Sequence, residues 1–304
     1  MRWWWALALV LGCSDHAEPR PQAERPASTR EHELESESEV DEVESEPTPT
    51  PTPPPATGPA ITVHFAWPAP ATAEVHVDSE HDFGGDVHVA ASYHYHLSVQ
   101  RDETGYRIER SGMTLESHAG SERLRLGNVL VEDVTQHSGD LHLFADGTHI
   151  TPLGGFDPIE ASARSVLSEG GIDGPLADAI LALGASGWEP INVVDYDDMV
   201  HEWNGRSFVL GVIQPADAIG GAEATRIMSR ASAPCDEPAP TPMCVELVRT
   251  EQAEQGSDHI EHVYTLLAEP DTLRPHSFQH ESRTDSETAH VHYAETLTTT
   301  FRWQ

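Results

Sequence analysis

The chain contains no lysine: all 17 of its basic residues are arginine, set against 51 Asp and Glu, for a formal net charge of −34. Without a lysine there is no Schiff-base chemistry, no Walker-type phosphate loop and no Ser-x-x-Lys nucleophile pair. A surface this acidic repels nucleic-acid phosphates, which argues against DNA or RNA as a partner. No polybasic stretch is present to hold anionic lipid headgroups. Cysteine is scarce, at three residues in 304. Long apolar runs are absent too. The longest at the amino terminus, Trp3 to Leu11, falls well short of the roughly 20 residues that span a bilayer.

Enzyme signatures are missing as well. There is no Gly-x-Ser-x-Gly elbow and no Gly-x-Gly-x-x-Gly turn. His201-Glu202 begins like a zincin helix, but Gly205 stands where the second histidine belongs. These gaps point to a non-catalytic protein, although motif absence does not exclude an enzyme.

What is present at the amino terminus is a short charged start, Met1-Arg2, and then the apolar run, which fits the h-region of a secretory signal. Leu9-Val10-Leu11-Gly12-Cys13 closes that run. These five residues resemble the lipobox of bacterial lipoproteins. The resemblance implies a signal peptide over 1–12, cleavage before Cys13 and acyl lipid (palmitate or its like) on the Cys13 thiol. By the family's sorting pattern, Ser14 at the second mature position implies the outer membrane. The protein is therefore expected in the cell envelope, attached to a membrane through its lipid. The plainer alternative is an ordinary secretory signal with a chance cysteine.

Two thiols remain, Cys235 and Cys244, separated by a proline-rich stretch without apolar periodicity. A disulfide closing a short loop between strands is the expected state in an oxidising compartment. The alternative is two unconnected thiols. A Zn site from this pair lacks the short spacing of a zinc knuckle.

Residues 13–60 are of different composition. Acids alternate with Ser and Val from Glu31 to Glu46, followed by a Pro-Thr run from Pro47 to Pro55. The acidic part cannot bury enough apolar surface to fold, and the Pro-Thr part favours extended polyproline geometry. The segment reads as a disordered tether below a globular domain at 61–304.

That domain is predicted as α+β, mainly β. Positions 87 to 99 alternate Val87, Val89, Ala91, Tyr93, Tyr95, Leu97, Val99 with polar neighbours, the period of a half-buried strand. Further strands are predicted over 106–117, 123–133, 140–151, 207–213, 223–230, 243–251, 260–269, 273–283 and 287–303, with a hairpin turn at Pro270-Asp271. Helical spacing appears only in the middle, about 157–204. Asp157 is placed to cap a first helix, Leu176, Ile180 and Leu183 mark a second, and Tyr196, Met199, Val200 and Trp203 share one side of a third. Two antiparallel meanders around a helical insertion suggest one curved sheet, a half-barrel, wrapped on those helices. The element order is similar to that of periplasmic lipoprotein carriers and acyl-binding lipoproteins, an analogy of layout without a motif. Two sequential β domains are the competing layout.

Nineteen histidines stand out. His94-Tyr-His96 and His290-Val-His292 each place two imidazoles on one face of a predicted strand. Such pairs, with a carboxylate such as Glu287 or Glu295, match Zn²⁺ ligand chemistry. The plainer reading is a solvated face, with the two pairs apart. The polar cluster from His76 to Asp82 reads as a solvated turn, and the acids Asp195, Asp197 and Asp198 as a helix start favoured by the macrodipole. Trp67, Trp188, Trp203 and Trp303 either pack the core or line an apolar cavity. The reading favoured by the sequence is thus an exported, lipid-anchored binding or carrier protein for an apolar or acyl ligand, without cofactor. The alternatives are a metal-binding envelope protein and a structural surface lipoprotein.

The lipobox reading is checked by Cys13→Ala. The variant should leave the membrane fraction or retain its signal; a variant that fractionates and migrates like wild type contradicts it.

Overall fold

A computed structural model describes residues 59–82, 88–119, 140–147, 150–152, 157–169, 171, 173–179, 181–182, 196–216, 224–235, 243–255, 258–286 and 291–304. The signal, Cys13, the tether up to residue 58, the strand expected at 123–133, Trp188 and His290 lie outside these residues.

Eleven strands form one antiparallel sheet. They are β2 (Ala71–Asp82), β3 (His88–Arg101), β4 (Gly105–Ala119), β5 (Leu141–Phe144), β6 (Ile150–Pro152), β8 (Ile213–Ala216), β9 (Ala224–Pro234), β10 (Met243–Gln255), β11 (Asp258–Ala268), β12 (Pro275–Ser286) and β13 (Val291–Trp303). Their order is β6-β5-β4-β3-β2-β13-β12-β11-β10-β9-β8. Neighbours in sequence are neighbours in space, as short connections dictate. The exception is the β2–β13 pair, which joins the two meanders from Ala73↔Trp303 to Asp82↔Ala294. That ladder decides between the two layouts: the meanders form one sheet, not two domains. The sheet does not close, since β6 and β8 are its edges. A separate two-stranded ribbon pairs β1 (Ala60–Thr62) with β7 (Ser207–Val209).

The period-two pattern sets which face is buried. On β3 Tyr93, Tyr95, Leu97 and Val99 are buried while His94, His96 and Gln100 are not. The same alternation buries Val75 and Val77 on β2, Phe278 on β12, Leu266 on β11, Leu247 on β10 and Phe301 on β13. These residues belong to a single core.

The other side of that core comes from two segments. Val63, Phe65 and Trp67 run between β1 and β2. Tyr196, Met199, Val200 and Trp203 lie on or beside a single π-helical turn, Asp197–His201. The segments are stitched together: Phe65 N–H donates to Asn204 Oδ1 at 2.8 Å, and Gly205 N–H to the Val63 carbonyl at 3.0 Å. Each buried indole donates to a carbonyl, Trp67 to Leu273 at 2.9 Å and Trp203 to Asp198 at 2.7 Å. Trp67 stands edge-on to Phe65 and Trp303, with ring centroids 5.7 and 5.9 Å apart. These tryptophans are core, packed as aromatic pairs prefer to be.

Several expectations need correction. Helix α1 (Asp157–Glu169) forms where predicted, and residues 175–179 and 181–182 are helical. Their buried residues, Ala163, Leu167, Ala177 and Leu181, do not belong to the core cluster beneath the sheet. Leu176, expected to face the strands, is exposed, because its neighbour Ala177 takes the buried side. Of the insertion at 157–204, only the stretch around 196–203 packs on the sheet core among the described residues. The expected strand 140–151 is a hairpin, β5 and β6, turning at 145–147. The expected strand 207–213 is two strands in different sheets, β7 and the start of β8, separated by the positive-φ Gly211.

Cys235 and Cys244 are disulfide-bonded, joining the end of β9 to the start of β10. In the chain-entropy account, closing a loop this short constrains the unfolded chain by about 2–3 kcal/mol.

Candidate functional site

Following the strand register along the buried face reveals a gradient. Near the carboxyl-terminal end of β13, Phe301 lies opposite Val75. One row on, Val77, Thr299, Phe278, Leu266 and Leu247 stand opposite one another across β2, β13, β12, β11 and β10. The next row reads Ser79, Leu297, His280, Tyr264 and Arg249. The row after that reads His81, Glu295, Ser282, His262 and Glu251. Over four residues, about 13 Å at roughly 3.3 Å per residue, the inner surface of five strands changes from apolar to titratable.

These groups are tied to one another. The Tyr293 hydroxyl donates to Glu295 Oε2 at 2.9 Å, and His81 Nδ1 lies 3.1 Å from the same hydroxyl. The hydroxyl's one proton is directed to Glu295, so His81 Nδ1 carries the hydrogen of the second contact. His81 is therefore the neutral Nδ1–H tautomer. Burial, with the nearby His88, pushes its pKa down to about 4. Further along, His280 stacks against both Tyr264 and His262, with centroids 4.6 and 5.4 Å away. His280 Nε2 and His262 Nδ1 are 3.3 Å apart.

Arg249 ends the row above. Its guanidinium is 4.2 Å from the centroid of the Tyr264 ring. Nη2 donates to Asp198 at 3.0 Å, Nη1 lies 3.3 Å from Glu202, and Nε 3.2 Å from Glu251. Burial works against this charge; Asp198, Glu251 and Glu202 more than offset it and raise the pKa. Asp198 and Glu202 belong to the π-turn segment, so Arg249 fastens that segment to the sheet. The acids of residues 195–198 were expected as dipole partners at a helix start; Asp198 is instead a ligand of a buried guanidinium.

The other face of the sheet carries His76, His94 and His96. The polar cluster from His76 to Asp82, expected as a solvated turn, is the second half of β2, a central strand. Its alternation was hidden because the buried positions Ser79 and His81 are polar. On the outer face His76 lies opposite His94, and Glu74 opposite His96. Two register irregularities in β4 fall beside them, between Ser92 and Tyr93 and between His94 and His96. The first makes Glu116 the extra residue and turns its carboxylate onto both rings: His94 Nδ1 is 3.0 Å from Oε1 and His76 Nδ1 3.3 Å from Oε2. At the second, Gly112 has φ +65°, and a Cβ there would stand 3.3 Å from the His96 ring. Bulges re-aim side chains in this way. The result is an outer-face cleft of about 450 Å³ lined by His76, His94, His96, Glu74, Glu116 and Arg302.

His292, the described member of the second His-x-His pair, does not share this cleft. His292 Nδ1 donates to Asp285 Oδ1 at 2.6 Å and holds that carboxylate below its usual range. It sits eight residues from Thr300, the β13 residue opposite His76, about 26 Å along the strand at ~3.3 Å per residue. Among the described residues, one set of three side chains brings ligand atoms together at metal-binding distance: Cys235, Cys244 and His276. The two sulfurs are bonded to each other and are not available as thiolates.

No family model matches the chain, and no curated protein matches it. Among solved structures it is similar to one concerned with lipid–protein interactions in lipovitellin. The TM-score is 0.41 at 8% identity, over 77% of this chain and 25% of that one. The chain thus spans about a quarter of the length of that structure, and a likeness at this level carries no weight for what it binds.

Buried His81 makes stability pH-dependent. Unfolded, its imidazole gains a proton near pH 6.5; folded, it stays neutral to about pH 4. The unfolded state binds more protons in that window, so stability falls as pH drops from about 6.5 to about 4, by up to about 3 kcal/mol. Urea denaturation between pH 7 and pH 4.5 should show wild type losing about 2–3 kcal/mol more than His81→Gln. Parallel pH profiles for the two proteins contradict a neutral, buried His81.

Proposed function

We propose that this chain is a lipid-anchored, non-catalytic binding lipoprotein of the cell envelope. Its ligand is an amphiphile, an acyl chain with a polar head, taken at the boundary between the apolar and titratable rows of the buried face. The lipobox-like residues Leu9 to Cys13 and the tether-like composition of 13–60 support the anchoring half of this reading.

One observation carries the binding half. A sheet that needed only a core would fill its buried face with branched aliphatic residues. Here the rows ending in Glu251 and Arg249 hold buried His81 and His280, half-buried His262, two carboxylates, a guanidinium and Tyr264, with half-buried Tyr293 beside them. Desolvating so many titratable groups costs stability unless each is paired. Groups held at such a cost suit recognition of a polar head, while Phe278, Leu266 and Leu247 next to them suit the start of a chain.

The sequence reading placed the ligand between the sheet and helices 157–204. The apolar half of the buried face is instead filled by the protein's own Phe65, Trp67, Tyr196, Met199 and Trp203. The proposed ligand therefore sits at the polar boundary.

Organic extraction of the purified full-length protein, followed by mass spectrometry, separates non-covalent amphiphile from the covalent Cys13 lipid. About one extracted amphiphile per chain is expected, with at least a fivefold lower occupancy in His262→Leu. Extracts free of amphiphile, from a protein that also takes up no added long-chain fatty acid, contradict the proposal.

A further inference from the structure

We infer that the outer-face cleft is a site for a divalent late transition metal such as Zn²⁺, held by His76, His94 and Glu116 and oriented by Asp78 and Ser92.

The inference follows from counting protons on His76. The Ser92 hydroxyl donates its one hydrogen to Asp78 Oδ1 at 2.8 Å. His76 Nε2 lies 3.3 Å from that hydroxyl and 3.2 Å from Asp78 Oδ2. The hydroxyl has no second hydrogen and the carboxylate has none, so Nε2 must be the donor. A neutral imidazole carries a single N–H. Nδ1 is therefore a bare lone pair, and Glu116 Oε2 lies 3.3 Å from it. A lone pair this close to a carboxylate oxygen is repelled by it, and a positive charge between them relieves the repulsion. Either a second proton or a metal ion supplies it.

The surroundings favour the ion. Glu116 presents its second oxygen to another imidazole nitrogen, His94 Nδ1, at 3.0 Å. Two imidazoles and a carboxylate are the three-ligand set of an open zinc site, with a fourth position for water. The Asp78 contact on the far nitrogen of His76 is the outer carboxylate that fixes the tautomer and orientation of a metal-bound imidazole. His76 and His94 face each other across adjacent strands, where side chains start about 5 Å apart, and imidazoles on one Zn²⁺ at about 2.0–2.1 Å bonds span a compatible gap. As placed, each ring faces a different oxygen of Glu116. Convergence on one centre needs His94 to turn about its side-chain torsions, and at 41% exposed it has room to do so. Glu116 is in reach only because the bulge at that residue turns it out of the ladder. Acidic Glu74 and Asp78 add negative potential that favours a dication, which the single Arg302 guanidinium lining the cleft only partly offsets.

Zn²⁺ is titrated into full-length detergent-solubilised protein against a competing colorimetric chelator at pH 8, where a histidine of ordinary pKa is unprotonated. One equivalent should bind. His76→Ala, His94→Ala and Glu116→Gln should each weaken it at least tenfold. Asp78→Asn should weaken it about 10- to 100-fold, as outer-shell partners do. His292→Asn, an equally exposed histidine at the far end of the sheet, should leave it unchanged. Three outcomes overturn the site: no binding at pH 8, in which case a second proton alone holds the cluster; affinity insensitive to His76→Ala and Glu116→Gln; or an equal loss in His292→Asn.

Discussion

Everything described above depends on the pairing of β2 with β13. Ten residues near the start of the described chain and ten at its end form one ladder, from Ala73↔Trp303 to Asp82↔Ala294. Every other contact between neighbouring strands of the large sheet is local in sequence. Without that ladder there are two meanders, each with an extra exposed edge of the kind that invites aggregation. With it, the buried rows run unbroken from β2 to β10, and His81 stands beside Glu295. Closing so long a loop is the costly step in forming this sheet, because the entropy must be spent before the contacts form.

One wide sheet then creates a covering problem. A face eleven strands wide cannot be left to water, and the described helices do not supply the cover. The apolar half is covered by the chain on either side of the β1–β7 ribbon, through Trp67 and Trp203. The second of these segments is fastened by a charge: Arg249, buried over Tyr264, holds Asp198 and Glu202. Breaking such a pair on one side typically costs 3–5 kcal/mol, since the partner charges stay buried. The polarity of the rows from Ser79 to Glu251 is thus partly structural, in Arg249, while His81, His262 and His280 are the groups that the proposed function assigns to a ligand head. The outer face solves a different problem. Carboxylates and histidines crowd there without lysine to balance them, and the bulges of β4 gather some of them around one cleft.

Much of the fold was legible in the chain. Alternation over 87–99 placed β3 and its buried face, and the single-sided set Tyr196, Met199, Val200 and Trp203 was read correctly although the turn is π-helical. The spacing of Cys235 and Cys244 anticipated the bond that the structure contains. The candidate sites were much less legible. β2 escaped notice because Ser79 and His81 interrupt its apolar alternation, and this same polarity makes the strand interesting. The contact of Glu116 with His76 and His94 depends on a one-residue bulge, which period-two reasoning cannot anticipate. Arg249 meets Asp198 and Glu202 across about fifty residues, and no local spacing encodes that meeting. The pairing of His94-x-His96 with His290-x-His292 was suggested by motif shape alone; strand register puts His292 far from the cleft.

The most direct test of the single sheet is native-state hydrogen exchange on the backbone amides of β2 and β13. One cooperative sheet predicts that the ladder amides of both strands exchange only through global unfolding, at the same free energy, and shift together when Arg249 is replaced. Exchange of β2 together with β3 and β4 at a free energy clearly different from that of β13 with β12 would contradict it, and would return the chain to two independent β units.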